Sequence, residues 1–326
     1  MISTSRCALA LLCLGAATSA LAASDHERCL LEQLARADDR ATVAQLRAAC
    51  AAPATPADAV VSRRLQEEAE TVVSQRYALL PHRPNFLLPL TYSSHRPGNE
   101  SFRRDIDDEG TPAQKIEGKF QISFKVPLVF GVAGSRADLY AGYTQRSFWQ
   151  MYNAAASKPF RESNYEPELW AQWPIGREIA GWNLVAASTG WVHQSNGRGQ
   201  EFSRSWDRLF ASAILERGEW AMLIRPWWRL PEDPNNDDNP DISHYMGSFD
   251  VALGRKWGAH SFDMQLRNNL HARRNKGAVQ LGWSFPLPRT PRLRGYAQLF
   301  HGYGENLLDY NVRTTSVGLG VMLADW

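Results

Sequence analysis

Cysteine is scarce in this 326-residue chain: there are 4, all within the first 50 positions (Cys7, Cys13, Cys29 and Cys50). That distribution excludes a disulfide framework or a cysteine-built metal site in the body of the protein. An excess of one charge is missing too. Lys and Arg number 36 against 34 Asp and Glu, a formal net charge of +2, which gives no electrostatic basis for binding nucleic acid. Also absent is any uninterrupted run of the roughly eighteen apolar residues that a membrane-crossing helix requires. Mean hydropathy is −0.39, so a helical membrane protein is excluded although 44% of the residues are hydrophobic.

What is present at the start is an export signal. Arg6 precedes the apolar run Ala8 to Ala17, and Ala20-Leu21-Ala22 ahead of Ala23 makes a cleavage site, so residues 1–22 read as a secretory signal peptide. Leu12 stands before Cys13 where a lipid-attachment signal needs a small residue. Cys29 and Cys50 flank an Ala/Leu-rich amphipathic stretch with Asp38-Asp39-Arg40 at its middle, and we expect them to staple a helical hairpin in an oxidising periplasm. Residues 51–64, with Pro53 and Pro56, read as a linker, and Leu65 to Arg76 as one more short helix. Residues 23–80 then form a helical appendage and linker, and residues 81–326 a single domain.

From Asn85 onward helical periodicity gives way to alternation. In residues 118–126, Phe120, Ile122, Phe124 and Val126 oppose Lys119, Gln121, Ser123 and Lys125; Phe262, Met264 and Leu266 likewise oppose Asp263, Gln265 and Arg267. Twelve such segments begin near residues 85, 114, 138, 163, 181, 205, 219, 245, 260, 277, 293 and 315. An even number of long two-faced strands, tight connections at 216–219 and near Gly258, and longer polar ones at 231–244, 271–276 and 303–314 predict an all-β fold. The architecture expected is a twelve-stranded antiparallel transmembrane β-barrel with a small N-terminal helical appendage, in a bacterial outer membrane. The 12 Trp, 13 Phe and 10 Tyr supply interfacial girdles.

One stretch, residues 191–209, carries candidate chemistry. His193 and Ser195 are two apart, so on a strand both leave the same face with Cα atoms about 6.7 Å apart. Asp207 follows a loop containing Gly197 and Gly199, and a hairpin return would bring its carboxylate beside His193. A polar hairpin with a hydrogen-bonded histidine fits the same residues. Parity decides where the group points: Asp207 goes with Leu209, Ala211, Ala213 and Leu215, and His193 with Val185, Ala187 and Trp191. Both sets are apolar, so the expected Ser-His-Asp group lies on the outside of the barrel, toward the outer leaflet.

These residues resemble the bacterial outer membrane phospholipase A family over about Asn85 to Trp326. The resemblance is carried by His193-Gln-Ser-Asn-Gly-Arg198 and Ser203-Arg-Ser-Trp206, supported by Tyr143-Thr-Gln145, Pro159-Phe-Arg-Glu162, Asn164-Tyr-Glu-Pro167, Asp238-Asn-Pro-Asp-Ile242, Tyr303-Gly-Glu305 and Asp309-Tyr-Asn311. It implies a calcium-dependent hydrolase of phospholipid acyl esters (phospholipase A1 and A2 and lysophospholipase activities) that works as a homodimer. Carried over by position, Ser195 is the nucleophile, His193 the base and Gly197 an oxyanion-hole N–H. The implied calcium ligands are Ser203, the Arg198 carbonyl and a carbonyl at Ser157 of the partner subunit, while Gln145 falls at the dimer interface. Asp207 stands where a member of that family has asparagine.

Two further stretches compete for attention. The run Glu232 to Asp241 is acidic, yet it lacks the glycine and distal glutamate of an EF-hand and reads as a solvated loop. His271, Arg273, Arg274 and Lys276 make a basic external loop suited to anionic headgroups or merely to solubility. A non-catalytic porin-like or adhesion-like barrel is the rival to the phospholipase reading.

Overall fold

The chain divides into two compact units, Met1–Ala54 and Thr55–Trp326. The computed structural model describes residues 34–35, 59–75, 78–96, 99–106, 111–290 and 293–324. The expected signal peptide, Cys29, Cys50 and the terminal Trp326 lie outside them.

The second unit is a barrel. Strand β1 (Leu80–Pro81) is two residues long. The twelve long strands are β2 (Asn85–Ser93), β3 (Ile116–Val129), β4 (Asp138–Trp149), β5 (Phe160–Ile179), β6 (Trp182–Ser195), β7 (Ser205–Arg217), β8 (Trp220–Arg229), β9 (Phe249–Trp257), β10 (His260–Asn268), β11 (Gly277–Pro286), β12 (Arg294–Gly302) and β13 (Thr314–Ala324). Each pairs antiparallel with its neighbour in sequence, and β13 pairs with β2 at Leu319↔Leu90, which closes the sheet and removes both edges. All twelve expected segments form, and none begins more than five residues from its expected start. Among the described residues no helix is long and apolar enough to cross a membrane.

Alternation resolves as the sequence predicts, with the usual inside and outside exchanged. Lys119, Gln121, Ser123 and Lys125 are buried in the lumen, while Ile122 is 50% exposed on the outer wall. Leu90, Leu169, Leu209, Trp228, Trp283, Val317 and Leu319 continue that wall. The lumen is held by charge pairs: Arg161 grips Glu117 with two bonds of 2.9 Å, Lys119 meets Glu305 at 2.9 Å, and Arg225 meets Glu168 at 2.5 Å. Such pairs gain little over an apolar core, but removing one partner strands the other charge. One departure from parity occurs in β6. A bulge between Leu184 and Ala186, opposite Leu215 and Ile214, buries Val185, so it leaves the outward set to which its spacing from His193 assigned it.

Short and long connections alternate. Two-residue turns at Ala180-Gly181, Gly218-Glu219 and Gly258-Ala259 join strands at the end where the barrel begins and finishes. Positive φ at the first position of each turn matches the twist of the flanking strands. The opposite, long-loop end carries two short helices, α2 (Asn99–Asp105) and α3 (Ile242–Met246). There Trp206, Phe210, Trp227, Ile242, Met246, Leu307 and Tyr310 form an apolar cluster across the mouth. Tyr310 donates its hydroxyl hydrogen bond to Asp241, and burial together with that carboxylate pushes the phenol pKa up.

At the turn end sits α1 (Val60–Ser74), which starts five residues before the expected Leu65 and so takes in part of the expected linker. Its sequence shows no N-cap, and Ala59 supplies no side-chain bond. The cap comes from the barrel: Glu216 accepts the Val61 and Ser62 amides, both at 3.0 Å, which satisfies first-turn donors from 154 or more residues away. Lys125 meets Glu68 at 2.7 Å, and Arg64 donates to the Pro81 carbonyl at 2.8 Å. Arg64 and Glu68 line one end of a luminal cavity of about 400 Å³, with Arg83, Glu168, Arg225 and Asp250 among its walls. Glu216→Ala should release α1 without unfolding the barrel. Limited proteolysis of the folded protein would then cut within residues 60–74, and continued protection there would show that Glu216 is not the anchor.

Candidate active site

The hairpin of β6 and β7 carries the predicted group. His193 lies directly opposite Asp207 in the register, and His193 Nδ1 is 3.2 Å from Asp207 Oδ1. Strand pairing produces this contact, because facing side chains of an antiparallel pair lie within reach of one another. Ser195, the last residue of β6, leaves the same face as His193. The face is the outer one. The side chains of His193 and Asp207 are 32% and 33% exposed, and exposed Trp191 and Leu209 are their neighbours down the two strands. The Trp191 ring stacks on the imidazole at 6.3 Å between centroids and 25° between planes. A polar pair thus stands on an apolar wall at its long-loop edge.

Beyond Ser195 the chain turns through residues 196–204, and Asn196 organises that turn. Its Oδ1 accepts the amides of Arg204 at 3.0 Å and Arg198 at 3.3 Å, its Nδ2 donates to the Phe202 carbonyl at 2.9 Å, and it is buried. Gly197 follows with φ +64, and a Cβ there would lie 3.1 Å from the Tyr165 ring. Both observations favour glycine. Gly199 has no such constraint, since nothing lies within 4 Å of its Cβ position.

The side chain of Arg198 turns inward, donating to Glu162 at 3.0 Å, to Asp105 at 2.6 Å and to the Arg161 carbonyl. Ser203 donates to Asp238 Oδ2 at 2.5 Å. Residues 232–241 are for the most part exposed, as the reading of a solvated loop expects, and they also touch the hairpin. Asp237 pairs with Arg229 at 2.6 Å, and buried Asn239 accepts the Ser205 amide at 2.9 Å. Of that run Asp238 and Asn239 touch the hairpin, while Asp233 accepts from Asn235 within the loop and Asp241 from Tyr310, a division that sequence spacing alone does not reveal.

Ser157 sits elsewhere, exposed in the loop between β4 and β5, where it and Lys158 both have φ +57. Two successive non-glycine residues in the left-handed region mark a held, strained backbone. The Trp149 indole helps to hold it by donating to the Lys158 carbonyl at 2.8 Å. Gln145 lies on β4 in one row with the hairpin, the pairing running Gln145↔Tyr165↔Ser195↔Ser205. It accepts from Tyr143 at 3.2 Å and donates to Ser147 at 3.0 Å, and Ser147 shares a 2.8 Å bond with Ser163. Among the described residues, no group of three or more His, Cys, Asp or Glu is placed to hold a metal. The oxygens gathered at the hairpin are the Ser203 hydroxyl and the Asp238 carboxylate.

A family model described as Phospholipase A1 matches residues 61–323. The phospholipase A1 of Klebsiella pneumoniae is 39% identical over 249 residues, covering 76% of this chain and 83% of that protein. Among solved structures, an asparagine-to-alanine active-site mutant of Escherichia coli outer membrane phospholipase A aligns with a TM-score of 0.72 at 36% identity, covering 83% of this chain and 99% of that one. The calcium-bound dimer of the Salmonella typhi outer membrane phospholipase aligns with a TM-score of 0.69 at 36% identity, covering 77% and 94%.

The glycine preference can be checked directly. Gly197→Ala should leave the barrel folded, since strain of about 1 kcal/mol confined to one loop residue does not reach the sheet. It should nevertheless displace the Tyr165 ring, and an unchanged Tyr165 aromatic resonance would contradict the close approach.

Proposed function

Because the chain belongs to the phospholipase A1 family, and is an outer-membrane β-barrel phospholipase, we propose that Ser195, His193 and Asp207 perform the hydrolysis from the outer barrel wall. The observation that carries this reading is the 3.2 Å contact of His193 with Asp207 on the lipid-facing side. His193 takes the Ser195 proton as the hydroxyl oxygen attacks the acyl carbonyl of a glycerophospholipid, and later returns it to the departing glycerol oxygen. Water then releases the fatty acid by the same exchange in reverse. Asp207 holds the imidazole tautomer and stabilises the imidazolium. An amide oxygen can supply the first of these effects, so the asparagine of the Escherichia coli relative and the aspartate here are read as equivalent orienters.

The Gly197 amide is the proposed oxyanion donor, in a left-handed conformation that favours glycine. The residues also suit calcium, which prefers hard oxygen ligands. Ser203, the Arg198 carbonyl and, from its 2.5 Å contact with Ser203, Asp238 would hold it, together with the carbonyl of Ser157 of the partner subunit. When bound, the cation would add positive charge beside the developing oxyanion. The site is an open surface, so esters at both glycerol positions and those of lysophospholipids can reach it. Short turns in the periplasm and long loops outside put it at the outer leaflet.

Dimerisation has its own support. Tyr143 and Gln145 stand half-buried on the outer face, bonded on to buried Ser147 and to Ser163, and covering the two against a second copy removes them from hydrocarbon. Pairing of two barrels there sets Gln145 at the interface and gates activity.

Hydrolysis of phosphatidylcholine in mixed micelles tests the reading. Ser195→Ala should lower kcat on the order of a thousandfold or more, while Asp207→Asn should stay within about tenfold of the parent and Asp207→Ala fall further. A chelator should abolish turnover by the parent. Full activity in Ser195→Ala would reassign the nucleophile, and activity in excess chelator would remove calcium from the scheme.

A further inference from the structure

A nine-residue turn at a barrel rim, residues 196–204, carries on the reading above both the oxyanion donor and a calcium ligand. Besides Asn196 within it and the contact of Ser203 with Asp238, an ion pair beneath holds it. Glu162, near the start of β5, has a fully buried side chain. Its Oε2 accepts Arg198 Nε at 3.0 Å; its Oε1 accepts Asn164 at 2.7 Å and the Leu308 amide at 3.3 Å. From the other side α2 closes on the same turn: Asp105 takes the Arg198 guanidinium at 2.6 Å, Arg104 pairs with Glu201, and Arg104 lies 4.9 Å over the Phe202 ring. With three acceptors committed to its side chain, Arg198 has little freedom left in its backbone.

We propose that Glu162 is a positioning residue: through Arg198 it fixes the Gly197–Arg198 backbone for hydrolysis and for calcium, with Asp105 of α2 as the outer half of the clamp. The proposal rests on the roles assigned above to Gly197 and Arg198, though Glu162 itself touches neither lipid nor cation. The charge is essential to it. Glu162→Gln keeps the shape but turns an amide donor, or a weaker acceptor, toward a guanidinium that stays buried.

The test uses the full chain in micelles with Glu162→Gln, Arg198→Lys, the double variant and Asp105→Asn. Hydrogen exchange of the 196–204 amides without calcium reports the backbone, and kinetics report the consequence. Glu162→Gln should speed exchange of the Arg198 amide, which donates to Asn196 Oδ1, by on the order of a hundredfold, as expected when a local ion pair stops opposing opening. It should lower kcat roughly ten- to a hundredfold with KM within about twofold, and raise the half-maximal calcium concentration about tenfold. Asp105→Asn should move the same quantities about threefold, and the double variant should be no worse than about twofold beyond Glu162→Gln.

Unchanged exchange in Glu162→Gln, or fully additive losses in the double variant, would overturn the proposal. Should Glu162→Gln fail to give a folded, heat-modifiable barrel, Asp105→Asn at the exposed rim decides by the same exchange reading. Undiminished hydrolysis by Ser195→Ala would sink the catalytic assignment instead, while the exchange data would still decide whether Glu162 sets the turn.

Discussion

A sheet that closes on itself in lipid must satisfy every backbone group internally and present hydrocarbon outward, and this constraint fixes the rest of the molecule. Charges that would normally face water are driven into the lumen, where they must pair. Arg161 with Glu117, Lys119 with Glu305 and Arg225 with Glu168 answer that demand. Outward positions are left to Leu, Val, Ile and aromatic residues. Against such a wall any polar group stands out, and His193, Asp207, Tyr143 and Gln145 are polar groups on it described above.

The two faces are connected at the rim. Glu162 belongs to the luminal network, whereas Ser195 and His193 belong to the wall, and residues 196–204 pass from one environment to the other. Asn196 folds that passage from within, Arg198 ties it to the interior, and Ser203 ties it to Asp238 in the next long loop. Luminal network and outer wall are thus one structure, joined through the hairpin.

Much of this was legible in the sequence because a strand's period of two writes both of its faces into the residue order. Phe120 against Lys119, and Leu209 against Arg208, gave the inverted barrel and the outward aim of Asp207. The pairing of His193 with Asp207 followed from the length of the turn between them. What escaped was set by partners distant along the chain. The start of α1 depends on Glu216, some 155 residues away. The bulge at Val185 depends on how β6 meets β7. The acidic run 232–241 is largely exposed as expected, but its contacts with Arg229, Ser203 and Ser205 leave no mark in the residue spacing. Asn196 was in view, next to a glycine in a recognisable motif, but three bonds to its own loop leave no periodic trace.

The outward aim of His193 and Asp207 carries a consequence for how such a protein meets its substrate. With the catalytic roles proposed for these residues, a lipid arrives by sliding along the flank of the barrel and never has to leave the bilayer, so encounter is a two-dimensional affair. Its natural concentration scale is molecules per unit area, and the dilution of the surrounding medium has no bearing on it.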